Sequence, residues 1–323
     1  MGYTQTQKQE VREMPKIAYM FPGQGSQKVG MGHEIYERSE DVRRLFKEAE
    51  EILGYDIAKI CFEGPADVLN DTVYTQPALY VVEFAMFKYL LDNGLRYPDF
   101  MFGHSLGEIP ALACAGALSF EDGLRLVKRR GELMAEAGRK HPGKLAAIIG
   151  LTKDALEDIV RQVDGVVVLA NLNSPQQIVV SGESDAVDAV AKKAKEAGAK
   201  RAVVLKVSVA AHSPLMKEAA EQFEDELNRI EIKKPKVPVI QNVTAQPTYE
   251  PETIRRNLAL QLISPVRWVD TLTLAWKLGV RTFVEIGPGK VLSGLAKRTL
   301  PSEVEIISIQ TGTETLPEVL TVA

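Results

Sequence analysis

Cysteine is scarce in this 323-residue chain, with Cys61 and Cys114 its whole complement. The two lie far apart with no metal-ligand spacing around them. That excludes a disulfide framework and a zinc site and leaves each as a buried small hydrophobe in a reducing, cytoplasmic setting. Long apolar runs are missing too: the longest, residues 78–91, is interrupted by Glu83 and Lys88 and falls short of the roughly 20 residues of a membrane span. Net charge is small, -4 with 25% charged residues, and no nucleic-acid motif is present, so neither nucleic acid nor a membrane is expected as a partner. The amino-terminal stretch is polar and lacks the apolar core of a secretory signal. Its start, Met1-Gly2-Tyr3-Thr4-Gln5-Thr6, fits the myristoylation pattern. One acyl chain anchors only marginally, however, and no polybasic stretch supports it, so residues 1–15 are expected to form a disordered leader.

What is present is enough apolar material for a sizeable core: hydrophobic residues make up 45% of the chain. The length exceeds that at which one core usually stops growing, so two structural units are expected. A strand over residues 17–21 should run into the tight loop Pro22-Gly23-Gln24-Gly25-Ser26-Gln27. Helical periodicity covers 39–53 and 76–91, the latter with an apolar face of Leu79, Val82, Phe87 and Leu90. A strand at 100–103 and helices at 106–118 and 120–136 complete a front section of α/β rhythm.

A basic connector, 139–143, then leads to a strand (145–150), a helix (153–163), two strands (166–171 and 177–181), a helix (184–198) and a strand (201–209). That order is a ferredoxin-like module. It reads as an insertion spanning 143–211, because α/β elements resume with a helix at 213–230, a strand at 237–243, helices at 251–262 and 268–278, and a last strand at 282–286. The fold class is therefore α/β, with a core from residues 16–142 and 212–311 and a C-terminal tail at 312–323.

Gly103-His104-Ser105-Leu106-Gly107 follows the second apolar strand and precedes a helix. In that setting Gly-x-Ser-x-Gly forms a nucleophile elbow aiming one serine hydroxyl outward. Small residues are required at both glycines because side chains would obstruct the sharp turn carrying Ser105. Two other Gly-rich runs fail as phosphate cradles. Gly23-Gln24-Gly25 has Lys28 where a dinucleotide fingerprint needs its third glycine, and Gly287-Pro288-Gly289-Lys290 lacks the upstream glycine of a P-loop and has Val291 at the Ser/Thr position.

A serine nucleophile needs a base, and the chain has four histidines. His104 should point away from the serine by strand alternation, His141 lies in the exposed connector, and His33 follows a flexible glycine segment. His212, in Ala210-Ala211-His212-Ser213-Pro214 just after an apolar strand, is the best candidate.

Five motifs in order carry a resemblance: Phe21-Pro22-Gly23-Gln24-Gly25-Ser26-Gln27; Gly103-His104-Ser105-Leu106-Gly107-Glu108; Arg130-Gly131 followed by Met134; Val207-Ser208-Val209-Ala210-Ala211-His212; and Gly287-Pro288-Gly289-Lys290-Val291-Leu292. Over residues 16–311 the chain resembles malonyl-CoA:acyl carrier protein transacylases and the related acyltransferase domains of polyketide synthases. The resemblance implies a hydrolase-like α/β core with an inserted ferredoxin-like subdomain. It also implies a ping-pong cycle with Ser105 as acyl-accepting nucleophile and His212 as base. Gln261 matches the position whose backbone carbonyl orients the imidazole. The backbone N–H groups of Gln24 and Leu106 match the oxyanion hole, and Arg130 matches the arginine that grips the free carboxylate of malonyl.

Read without the family, Lys128-Arg129-Arg130 is a solvated helix face and Gln261 a helix-end glutamine. The implied partners are malonyl-CoA and an acidic acyl carrier protein bearing a phosphopantetheine thiol, with Lys200, Arg201, Lys297 and Arg298 as a basic rim. No metal and no cofactor is implied. Val209-Ala210-Ala211 departs from the patterns that sort malonyl from methylmalonyl units and leaves room, so malonyl is favoured and branched malonyl units stay open. Pro110 also departs from the pattern and is expected to bend the elbow helix. Two alternatives remain at this point: an acyl hydrolase or thioesterase, and a docking module that keeps the fold without catalysis. Fatty acid and polyketide synthesis are not separable.

Overall fold

The computed structural model describes residues 15–205 and 209–322. Apart from Pro15, the expected leader lies outside the described residues, as do Lys206, Val207 and Ser208 of the stretch before His212. The strands are β1 (Lys16–Phe21), β2 (Phe100–Gly103), β3 (Gly143–Ile149), β4 (Val167–Ser174), β5 (Gln177–Glu183), β6 (Arg201–Val204), β7 (Val239–Ile240), β8 (Pro247–Thr248), β9 (Val280–Ile286) and β10 (Glu305–Ile309).

A six-stranded sheet runs in the order β10-β9-β1-β2-β7-β8, parallel except at the β7–β8 edge. β1 shows why its sequence is an unbroken apolar run. Ile17, Tyr19 and Phe21 enter the hydrophobic cluster on one face while Ala18 and Met20 enter that on the other, as a parallel strand covered on both sides requires. The second sheet, β4-β5-β3-β6, is antiparallel and carries the helices Lys153–Val160 and Ser184–Glu196 over a core of its own. Its chain order, strand-helix-strand-strand-helix-strand, is the ferredoxin-like arrangement. β4 is tied to the segment that precedes the helix Trp268–Lys277 by Leu172 N–H to Val266 O (2.9 Å) and Val266 N–H to Ala170 O (2.8 Å).

Several expected elements differ. The elbow helix is a 3-10 turn, Ser105–Gly107, followed by a short α-helix, Glu108–Cys114, and Gly116 at φ 80 ends the run before Leu118. Pro110 is the third residue of that α-helix, where the N–H has no intrahelical acceptor in any case, so the expected loss of a backbone bond does not arise. The helix Phe120–Lys140 absorbs the start of the basic connector: Arg139 and Lys140 sit in its last turn, where cations suit the helix dipole, and Lys140 pairs with Glu136 at 2.9 Å.

β6 spans Arg201–Val204, Leu205 lies outside it and residues 206–208 of the expected strand lie outside the described residues, while β7 has two residues because Gln241 and Asn242 turn out of the sheet to bond Glu108. β9 is not the last strand: the helix Val291–Thr299 returns the chain to β10, whose half-buried edge position keeps its apolar signal weak. The segment set apart as a tail is docked, with Leu320 fully buried and its carbonyl accepting from Arg96 N–H at 2.7 Å. Among the described residues no helix is long and apolar enough to cross a membrane.

The helix Thr72–Asp92 is buried all round from Thr75 to Glu83 rather than along one face. Both carboxyl oxygens of Glu83 lack a partner among the described residues. Burial, reinforced by nearby Glu285, pushes the Glu83 carboxyl well above the usual carboxylate range. The folded state therefore holds it protonated while the unfolded chain ionises it, so stability falls as pH rises above the ordinary glutamate value. Glu83→Gln removes that dependence. Its melting temperature should exceed that of wild type by about 2 °C or more at pH 8, with the gain shrinking toward pH 4. Parallel pH dependences of the two proteins would contradict this.

Candidate active site

The site gathers at the carboxyl ends of adjacent strands β1, β2 and β7, where open parallel sheets place their ligands. β1 delivers Gly23-Gln24-Gly25, β2 the elbow, and β7 the pair Gln241-Asn242. At the elbow a Cβ on Gly103 would lie 1.9 Å from Gly107 O, and one on Gly107 would lie 2.0 Å from Phe21 O. Only glycine fits either place. Ser105 takes φ 53, a strained conformation for a residue with a side chain. Asn242 holds it there, accepting from Ser105 N–H through Oδ1 and donating through Nδ2 to Gly103 O, both at 2.7 Å.

Ser105 Oγ and His212 Nε2 are 2.8 Å apart. The other imidazole nitrogen, Nδ1, lies 2.9 Å from the backbone oxygen of Gln261 and 3.1 Å from that of Ser264. Gln261 ends the helix Pro251–Gln261, so its carbonyl has no intrahelical donor and is available to an outside N–H. A helix C-terminus also favours a positive charge on the ring. These contacts place the proton on Nδ1 and leave Nε2 to accept from the serine. Burial, and then the neighbouring Arg130, hold His212 down to about 3, against the pull of the two backbone acceptors. The ring is therefore neutral throughout the physiological range, with Nε2 free to accept a proton.

Arg130 is 1% exposed. It leaves a helix whose neighbouring cations are ordinary: Lys128 reaches Leu53 O and Arg129 reaches Gln222. Its Nη1 donates to Gln76 Oε1 (2.9 Å), and its Nη2 donates to Gln261 Oε1 (3.0 Å) and Ser105 Oγ (3.1 Å). All three acceptors are neutral, and Nε has none among the described residues. A buried guanidinium without a contacting anion is costly, and an incoming carboxylate relieves that cost.

A cavity of about 250 Å³ opens onto Ser105, His212 and Arg130, between the core and the small sheet. Gln24 and Leu106 line it, and neither backbone N–H has an acceptor among the described residues. Gly25, at φ 106, gives the first loop its shape, and Leu106 stands in the first turn after the elbow, where N–H groups are unpaired. Unpaired backbone N–H donors are the groups that hold a developing oxyanion when they converge on it, each worth roughly 2.7 to 4 kcal/mol.

Comparison with known proteins decides the family. The acyl transferase domain family matches residues 18–315. The malonyl CoA-acyl carrier protein transacylase of Bacillus subtilis (strain 168) is 47% identical over 288 residues, covering 88% of this chain and 90% of that protein. The chain belongs to the malonyl CoA-acyl carrier protein transacylase family. Among solved structures, the transacylase of Coxiella burnetii superposes with a TM-score of 0.89 at 42% identity, covering 93% of this chain and 95% of that one. A malonyl-transacylase in complex with a type II PKS acyl-carrier protein gives 0.88 at 40% identity, covering 91% and 96%.

In this member of the transacylase family, the six residues singled out from sequence, Ser105, His212, Gln261, Gln24, Leu106 and Arg130, lie around one cavity or bond directly to groups that line it. Sequence reasoning misplaced His104, which lines the same cavity instead of pointing away, with Nε2 2.7 Å from Asn173 Oδ1 and its ring edge-on to Trp268. It missed Asn242, Glu108 as more than a motif letter, Gln76 and Asn173. Glu108 is a single polar residue next to an apolar stretch and the other three stand in short polar clusters, a signal that carries no role by itself. Lys200, Arg201, Lys297 and Arg298 are exposed, and Arg298 Nη2 reaches Gln177 Oε1 (3.1 Å) on the cavity wall.

The depressed His212 basicity has a kinetic consequence. kcat/KM for the acylating thioester should hold its value from pH 7 down through the ordinary histidine value near 6.5, with any acid limb well below it. A half-maximal point near pH 6.5 would contradict the geometry.

Proposed function

We propose that this protein moves a malonyl group from coenzyme A to the phosphopantetheine thiol of an acyl carrier protein through an ester on Ser105. The observation that carries the reading is the buried, anion-free guanidinium of Arg130, 3.1 Å from a serine hydroxyl that is itself 2.8 Å from a neutral imidazole. His212 Nε2 takes the Ser105 proton as Oγ attacks the thioester carbonyl, and the oxyanion settles between the Gln24 and Leu106 N–H groups. Collapse breaks the C–S bond, and the imidazolium returns its proton to the departing coenzyme A sulfur. In the second half His212 takes the proton of the carrier thiol, whose sulfur attacks the seryl ester, and Ser105 is regenerated.

Arg130 holds the malonyl carboxylate through two N–H donors, a match lysine does not reproduce. An acetyl group leaves the guanidinium buried and unmet, so selection rests on desolvation as well as attraction. The exposed basic residues Lys200, Arg201, Lys297 and Arg298 serve the acidic carrier, Arg298 from beside Gln177 on the cavity wall. Acyl transfer moves no electrons between centres, so no redox cofactor is required, and coenzyme A enters as substrate. The thiols of Cys61 and Cys114, buried and free, suit a reducing cytoplasm.

Initial rates with malonyl-CoA varied at several concentrations of phosphopantetheinylated carrier test the reading. Parallel double-reciprocal lines with malonyl-carrier as product are expected. Malonate released to water at a rate indifferent to the carrier would make the protein a hydrolase.

A further inference from the structure

Glu108 opens the helix Glu108–Cys114 directly behind the elbow and is completely buried. Its Oε1 accepts from Gln241 Nε2 (3.0 Å), and its Oε2 accepts from Gln261 Nε2 (2.7 Å) and Asn242 N–H (3.2 Å). Three donors converge on this side chain and no acceptor faces it, which only an ionised carboxylate satisfies. Burial pushes the carboxyl up to about 7, while the hydrogen bonds from Gln261, Asn242 and Gln241 and the charge of Arg130 pull it back.

We propose that Glu108 is a positioning residue that sets the aim of Arg130 and of the elbow serine through Gln261 and Asn242. The inference rests on the malonyl-transfer reading above.

An amide side chain is nearly symmetric in shape and has two ways round. With Gln261 Nε2 drawn to Glu108 and to Ser105 O (3.0 Å), its Oε1 is left facing Arg130 Nη2 at 3.0 Å. The opposite orientation would set the amide N–H groups against the guanidinium, donor against donor, and push Arg130 off the serine. The carboxylate therefore selects the orientation that holds the cation in place. It also sits one amide away from Arg130, where it offsets the buried positive charge without occupying the face that meets substrate. Through Asn242 N–H the same carboxylate steadies the residue that pins both Gly103 O and Ser105 N–H.

The partner on the far side allows a sharp test. Gln241 Oε1 accepts from Asn257 Nδ2 at 2.7 Å, so Gln241 cannot flip to meet a new donor without opposing Asn257. Glu108→Gln therefore strands one donor against another wherever its own amide turns. Adding Gln241→Glu removes the conflict: the new carboxylate accepts from Asn257 and from the amide introduced in place of Glu108, whose carbonyl still faces Gln261.

Acyl-enzyme formation from malonyl-CoA and from acetyl-CoA is followed by intact-protein mass spectrometry in wild type, Glu108→Gln and the double variant. Glu108→Gln should slow the malonyl adduct about 100-fold and the acetyl adduct far less, so the malonyl-to-acetyl ratio falls, and the double variant should recover most of both. An unchanged ratio in Glu108→Gln, or an equal loss for both acyl groups that the double variant does not repair, would overturn the assignment. If Glu108→Gln does not fold, the double variant decides: a folded protein with the wild-type ratio supports the assignment, while a lost ratio or failure to fold overturns it. Wild type that forms no adduct on Ser105 would instead refute the malonyl reading itself.

Discussion

Replacing His212 with alanine should lower kcat/KM for carrier malonylation about 10⁴-fold, the upper range for losing a general base that works as a unit with its nucleophile. Among the described residues no other group stands ready to take its place. His104 borders the cavity, but its Nε2 is engaged with Asn173, and it makes no hydrogen bond to Ser105. Arg130, which does reach Ser105 Oγ, is a donor only. Because the Arg130 contacts to Gln76 and Gln261 do not involve the imidazole, the loss should fall on kcat with little change in KM. Steady-state rates over a range of malonyl-CoA concentrations check this. A fall of less than about tenfold would move the base elsewhere.

Arg130→Ala should cost about 2 to 5 kcal/mol in kcat/KM for malonyl-CoA, the range for truncating one partner of a buried, hydrogen-bonded charge pair, which is roughly 30-fold to several thousand-fold in rate. Acetyl-CoA and propionyl-CoA gain relative to malonyl-CoA, because the penalty of burying an unmet guanidinium disappears. A second effect follows from the proximity that depresses His212. With the neighbouring cation gone, the imidazole becomes more basic, so the acid limb of kcat/KM should move upward in pH from its wild-type position. A panel of acyl-CoA thioesters read across pH checks both. Unchanged relative rates together with an unmoved limb would contradict the role given to Arg130.

Much of this site was legible in the chain because backbone constraints leave strong traces in sequence. Gly103 and Gly107 are fixed by approaches that admit no Cβ, so the elbow announces itself, and β1 reads as a strand because it is buried on both faces. The ferredoxin-like order was readable for the same reason: its strands and helices are short, periodic and separated by turns. Arg130 and Gln261 were different. Taken alone, each looks like a residue of an exposed helix face or helix end, and only the family pattern gave them roles. In three dimensions a helix rotation buries Arg130 while its neighbours Lys128 and Arg129 reach a backbone carbonyl and a partly exposed glutamine.

What stayed hidden was the polar network behind the site. Gln241 and Asn242 looked like the middle of a strand, yet their backbone leaves the sheet after two residues so that both can meet Glu108, a contact 133 positions away in sequence for Gln241. Such long-range bonds have no local pattern. The position of Pro110 in its helix was hidden for a related reason: where the α-helix begins, and hence whether the missing N–H matters, was set by the elbow turn and not by the proline.

The central claim is that Ser105 carries the malonyl group between two thiols. Its most direct test is intact-protein mass spectrometry after brief exposure to malonyl-CoA, with Ser105→Ala alongside, followed by addition of phosphopantetheinylated carrier protein. The account expects a single malonyl adduct in wild type, none in the variant, and discharge of that adduct onto the carrier. An adduct that persists in Ser105→Ala, or one that the carrier does not discharge, would contradict it.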